Sequence, residues 1–243
     1  MMTLLRSFFV LTTFLFLSCN SSNEISKPNI VLFMVDDLGW QDTSVSFWKN
    51  ETKFNRLYNT PNMEILANMG VKFTNAYATP VCSPSRISLM TGMNAAKHRV
   101  TNWTLNPNKK KPAEINHKIF EFPDWNYNGL STLDSISNTI YATPLPQILK
   151  DNGYYTIHAG KAHLGAIGYP SSNPLNIGFD INIAGHAAGA PQSYLGVDNF
   201  GNNNSKNKIW AVPGLEKYHG KDIFLTQALS EEVLEKLQKP INS

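Results

Sequence analysis

The sequence predicts an α/β domain built on a mainly parallel sheet, and three observations carry that reading. An unbroken apolar run, Ile30-Val31-Leu32-Phe33-Met34-Val35, stands between Pro28 and Asp36, the composition of a strand covered on both faces rather than one. Helix-like and strand-like segments then alternate along the chain, as βαβ architectures require. Hydrophobic residues make up 42% of the 243 positions and charged ones only 16%, enough apolar surface for a buried core.

The first eighteen residues place Arg6 ahead of an apolar run that ends at Leu17, which has the form of a signal peptide and is too short for a membrane span. Phe16-Leu17-Ser18-Cys19 resembles the lipobox of bacterial lipoproteins, with Cys19 as the acylated mature N-terminus. That reading implies an exported chain, held at the periplasmic or outer cell surface, with simple secretion as the second choice; the only membrane contact is the anchor at Cys19. Residues 19–28, rich in Ser and Asn, form a tether, and a folded domain over 29–243 begins with the apolar run.

The remaining elements follow from local signals. Thr60 and Pro61 open a helix that Gly70 closes. Val71 to Ala76 alternates like a strand, and Pro84 to Met93 starts a second helix. Pro146 to Gly153 is a Gly-capped helix before a strand at Tyr155 to Ala159. Between Pro170 and Gly220 the density of Gly, Asn, Pro and Ser predicts long loops, a surface suited to a substrate. Ile223 to Lys239 spaces Phe224, Ala228, Leu229, Val233 and Leu237 near the helical period, with Asp222 as its cap.

Charge narrows the function classes. Lys and Arg number 21 against 18 Asp and Glu, too even a balance for a dedicated nucleic-acid binder. Lys109-Lys110-Lys111 reads as a solvated loop. The chain has two cysteines. With Cys19 assigned to processing, Cys82 is a lone thiol in an exported protein, either a small buried hydrophobe or a group with chemistry of its own.

Cys82-Ser83-Pro84-Ser85-Arg86, followed by Leu89, Thr91 and Gly92, resembles the signature of the type I, formylglycine-dependent sulfatases of the alkaline phosphatase-like superfamily. The resemblance extends from Pro28 to about Lys239 and implies an alkaline phosphatase-like sandwich. It also implies that a maturation enzyme converts Cys82 to formylglycine. The hydrate of that aldehyde has one hydroxyl to attack sulfur and a second whose deprotonation expels sulfate, a route closed to a serine ester. Residue 82 precedes a helix start, where free N–H groups favour an anion, and Arg86 stabilises the hydrate in the implied scheme.

Asp36 and Asp37, after the first apolar run, are similar to the family's paired metal ligands, which with residue 82 hold Ca2+, or Mg2+ as the weaker choice. Gly160-Lys161-Ala162-His163-Leu164-Gly165 resembles a family element in which the lysine contacts sulfate and the histidine holds nucleophile or leaving group; Ala162 stands where the family has Trp. Gly185-His186-Ala187-Ala188-Gly189 resembles a loop near the substrate pocket and nominates His186 for substrate contact. Asn102-Trp103-Thr104 matches a further segment, with no role attached.

The implied activity is hydrolysis of a sulfate ester on a sulfated carbohydrate. Family members are about twice this length and supply further ligands beyond the last residue here, so the sequence reads as a truncated catalytic domain. The alternatives are a phosphonate or phosphodiester hydrolase of the same superfamily, and an inactive fragment that binds sulfated glycans.

Overall fold

The computed structural model describes residues 27–110, 118–121, 123–203, 206 and 208–238. The expected signal segment, Cys19 and most of the tether lie outside the described residues. The chain divides into two units, Met1–Asp36 and Asp37–Ser243.

In the first unit the described residues form neither helix nor strand, and the expected doubly covered strand is not found. Every residue from 28 to 35 is exposed, Val31 by 85% and Phe33 by 84%, and no described strand pairs with the run. Apolar composition states that a segment is suited to burial; it does not provide the neighbouring ladders that bury it.

The second unit begins with helix α1, Pro61–Met69, whose first-turn proline gives up only an N–H that the helix does not use. The Thr60 carbonyl accepts from Met63 and Glu64 at 3.0 and 3.1 Å, so the start is where it was expected. Its hydroxyl does not cap; it meets the Ser44 hydroxyl at 2.7 Å. Gly70 ends the helix in extended, not left-handed, conformation. Val71 to Ala76 forms no ladder and is exposed throughout, a second departure from the alternation rule with the same cause.

Helix α2, Cys82–Thr91, ends on Gly92 at φ +68°, whose N–H donates to Ser88 O at 2.8 Å, a left-handed stop that glycine adopts without steric cost. A single turn, α3 at Ala95–His98, is capped by the Asn94 side chain. Strands β1, Gly129–Ser131, and β2, Thr139–Tyr141, pair in parallel with Leu130 opposite Ile140. Helix α4, Leu145–Asp151, precedes β3, Ile157–Ala159, which pairs in parallel with β4, Ile181–Ile183. Both described ladders are thus parallel, as the sequence predicts. The terminal helix α5 spans Leu225–Gln238, so Asp222 lies too far ahead to cap it. Lys217 fastens this helix by pairing with Glu232 and, at 2.7 Å, with Glu235.

One core lies under α2 and β1, with Ile87, Val100, Trp125, Leu130, Leu164 and Ile177. A second, between β4 and α5, gathers Ile183, Phe200, Val212, Leu215, Tyr218 and Ala228. Residues 170–220 are therefore not loops alone: they contain β4 and much of this second core. Short 3-10 turns and left-handed residues turn scattered apolar side chains inward. Phe200, fully buried at φ +51°, shows the balance. Left-handed backbone costs about 1–2 kcal/mol, which burying the ring, at about 1.5–3 kcal/mol, offsets.

Candidate active site

Adjacent parallel strands that end together define where a ligand binds in such sheets, at their carboxyl ends. Here Ala159, the last residue of β3, is in register with Ile183, the last of β4. The loop leaving β3 carries Lys161 and His163, and the loop leaving β4 carries His186. His163 and Ala184 both adopt left-handed backbone, at φ +52° and +63°. The His163 N–H donates to His186 O at 3.1 Å, so the two loops are joined at the residues nominated from sequence.

Helix α2 meets the first of these loops through Arg86. Cys82 is its first residue, the helix starting two residues ahead of the expected Pro84, and is a half-buried free thiol. At that position the helix ladder leaves the backbone N–H unused. Arg86, one turn on, is only 8% exposed, and its Nη1 donates to Lys161 O at 2.7 Å. The guanidinium anchors the backbone of the lysine that the sequence assigns to sulfate.

Two residues that the sequence reading passed over complete the connection. Ser83 is fully buried; its Oγ accepts from the Thr104 N–H at 3.1 Å. The Thr104 carbonyl in turn accepts from His163 Nε2 at 2.7 Å, which shows that Nε2 carries a proton. One chain of hydrogen bonds therefore runs from the helix start through Ser83, Thr104 and His163 to His186. Ser83 lies inside the cysteine motif, so its neighbourhood was legible. Thr104, 59 positions before His163, offered no signal beyond its segment.

Burial sets the protonation states. It lowers the pKa of His186, against the Ala184 carbonyl that favours the charged form, so the ring is neutral at neutral pH. Its Nδ1 donates to Ala184 O at 3.3 Å, which leaves Nε2, buried and without a partner among the described residues, as an acceptor.

Asp36 closes the first unit, Asp37 opens the second at φ +53°, and both are exposed. Two carboxylates supply at most four oxygens, whereas Ca2+ takes six to eight. No group of three or more His, Cys, Asp or Glu side chains converges among the described residues. These residues do not by themselves close a calcium shell. What the second unit does bring together is the start of α2 and the Arg86 contact with the Lys161 backbone.

Comparison with known proteins agrees with that chemistry. The family model "Sulfatase" matches residues 28–242. Mouse N-acetylgalactosamine-6-sulfatase is 32% identical over 63% of this chain and 24% of its own length. Human steryl-sulfatase is 34% identical over 65% of this chain and 24% of its own. The solved structure of Ps i-CgsB superposes with a TM-score of 0.55 at 27% identity, over 89% of this chain and 42% of that one; its complex with k-i-k-neocarrahexaose matches at 0.50 and 23%. The chain spans about a quarter of the length of the curated relatives it matches. Its fold is part of the alkaline phosphatase-like α/β architecture, with parallel strands. The match over residues 28–242, with Cys82-Ser83-Pro84-Ser85-Arg86 at the start of the helix whose Arg86 bonds the Lys161 backbone, makes this chain a member of the sulfatase family.

Proposed function

We propose that the protein containing this chain hydrolyses a sulfate ester on a carbohydrate, with residue 82 matured to formylglycine. The observation that supports it most is the placement of Cys82 as the first residue of α2, whose next turn sends Arg86 to the backbone of Lys161. Formylglycine supplies a hydrated aldehyde whose two hydroxyls serve, in turn, attack on sulfur and release of sulfate. Around it, the helix start and the Arg86 guanidinium offset negative charge, the Lys161 ammonium binds a sulfate oxygen, and His163 is held in orientation by Thr104 and His186. His186, neutral and with Nε2 as an acceptor, suits a hydroxyl of the substrate.

Asp36, Asp37 and residue 82 are the proposed contributors to a Ca2+ shell on the family resemblance, and no step above is routed through the metal. A relative named for N-acetylgalactosamine and a neighbour bound to neocarrahexaose support a carbohydrate; steryl-sulfatase marks the competing class. Export with a lipid anchor at Cys19, and maturation by a formylglycine-generating enzyme, belong to the same proposal.

The test is sulfate release by the complete protein, co-produced with a formylglycine-generating enzyme, on glycan, steryl and aryl sulfates and on a phosphodiester. Peptide mass is measured alongside, to read whether the Cys82 side chain has exchanged sulfur and two hydrogens for oxygen. Glycan sulfates are expected to turn over, and Cys82→Ala to abolish turnover. Preference for the phosphodiester, or full activity in Cys82→Ala, would refute the reading.

A further inference from the structure

Beneath the two site loops, a cross-strand pair links the strands from which they spring. His158 of β3 stands opposite Asn182 of β4. The Asn182 amide has one orientation only: Gly185 N–H donates to its Oδ1 at 2.9 Å, and its Nδ2 donates to Gly185 O at 2.8 Å. With Oδ1 the acceptor, the 3.2 Å contact to His158 Nδ1 is a hydrogen bond donated by the imidazole. Gly185 admits no side chain, because a Cβ there would lie 2.5 Å from both Asn182 Oδ1 and His158 Nδ1. The edge of Phe179 packs on the same ring, centroids 5.1 Å apart.

The other side of His158 faces the first loop. The backbone of Lys161 lies beside the ring, and its carbonyl takes Arg86. Burial above all, reinforced by the Arg86 charge and opposed by Asn182, lowers its pKa to about 4, so the imidazole is neutral under ordinary conditions. A half-buried, neutral ring therefore lies beside the backbone of one site loop and, through Asn182, clasps the turn that begins the other.

We infer that His158 is a positioning residue, coupling the Lys161–His163 loop to the His186 loop through Asn182 and Gly185 and so setting the spacing of the groups that grip the substrate's sulfate. This rests on the sulfate-ester reading above. Were the ring core packing alone, an apolar residue of similar size would serve equally well. If it positions the loops, the Nδ1–H donor is what matters, and its loss acts on turnover more than on binding.

The experiment compares His158→Leu, which keeps bulk and loses the donor, with His158→Asn, which restores a donor near Nδ1, in the complete matured protein. Readouts are kcat and KM for a sulfate ester, and hydrogen exchange by mass spectrometry in peptides covering residues 160–163 and 184–190. His158→Leu is expected to lower kcat about tenfold or more with little change in KM, and to speed exchange in both peptides; His158→Asn recovers most of both. Combining His158→Leu with Asn182→Ala is expected to cost no more than the larger single change, since the two act as one unit. Parental kcat and exchange in His158→Leu, or a His158→Asn variant as impaired as the leucine one, overturns the inference. If the parent releases no sulfate, the functional reading fails, and exchange decides for His158: loops loosened by Leu but not by Asn sustain it, and unchanged loops overturn it. Should His158→Leu not fold, Asn182→Ser probes the same link from its other end, with the same two outcomes.

Discussion

Replacing Gly189 by Ala tests the packing that holds His163. A Cβ at position 189 would stand 2.4 Å from His163 Cε1 and 2.6 Å from Nδ1, against ordinary contacts of 3.4–4 Å, so the ring must retreat by about 1 Å. It has nowhere to go. His163 is 3% exposed, its Nε2 donates to the Thr104 carbonyl at 2.7 Å, and its backbone N–H is held by His186. Overpacking costs about 1–3 kcal/mol, and losing the Nε2 bond adds about 1 kcal/mol. For a chain of this size the sum of about 2–4 kcal/mol lowers the melting temperature by on the order of 10 °C. The assay is thermal unfolding of Gly189→Ala beside Gly70→Ala, a control where the backbone is extended and the nearest atom, Leu66 O, lies at 3.4 Å. If the two variants melt together, His163 is not confined as described, and the hydrogen-bonded chain from Ser83 to His186 loses its middle link.

Two further predictions concern the same network. Ser83→Ala leaves the Thr104 N–H without its acceptor, at a cost of about 1–3 kcal/mol by urea unfolding. Ser85→Ala, whose half-buried hydroxyl bonds the Thr79 and Val81 carbonyls and the Thr79 hydroxyl and is the acceptor of no backbone N–H there, is expected to cost less; the reverse order would refute the assignment. Acid should also weaken the fold. The folded-state pKa of His158, about 4, lies below its ordinary 6.5, so between those values the unfolded chain binds the proton that the folded one refuses. The associated stability is complete above pH 6.5 and is lost as pH falls through 4, on the order of 2–3 kcal/mol. His98 and His186, lowered chiefly by burial, slope in the same direction. Unfolding of the parent and His158→Asn at pH 7 and pH 4.5 reads this: the parent should lose more stability, and equal losses would exclude His158 as a source.

Legibility tracked the range of the forces involved. Pro61 and Gly70 mark the ends of a helix that exists, because a first-turn proline and a glycine past the last turn act within a turn of backbone. Arg86, Lys161 and His163 were named from motifs and do lie together. Ile30 to Val35 and Val71 to Ala76 misled, since alternation or apolar composition qualifies a segment for a ladder without supplying the partner strand. Ile181 to Ile183 was missed inside a stretch rich in Gly and Asn because three residues carry too little periodicity to register. Thr104 lay in a matched segment to which no role was attached, and Asn182 left no trace, as neither residue type announces a carbonyl or amide that will serve a distant histidine.

The sequence by itself determined the family and the chemical cast: a cysteine in a highly specific motif, an arginine one helical turn beyond it, and a lysine and histidines in two short elements. Tertiary structure alone decided how those residues act on one another. The Arg86 bond to Lys161 joins positions 75 apart, and the parallel register that ends β3 beside β4 aligns loops 24 residues apart. Contacts over such separations depend on which strands pair and which faces are buried together. Those choices are made by the packing of the whole chain, and local residue patterns do not encode them individually.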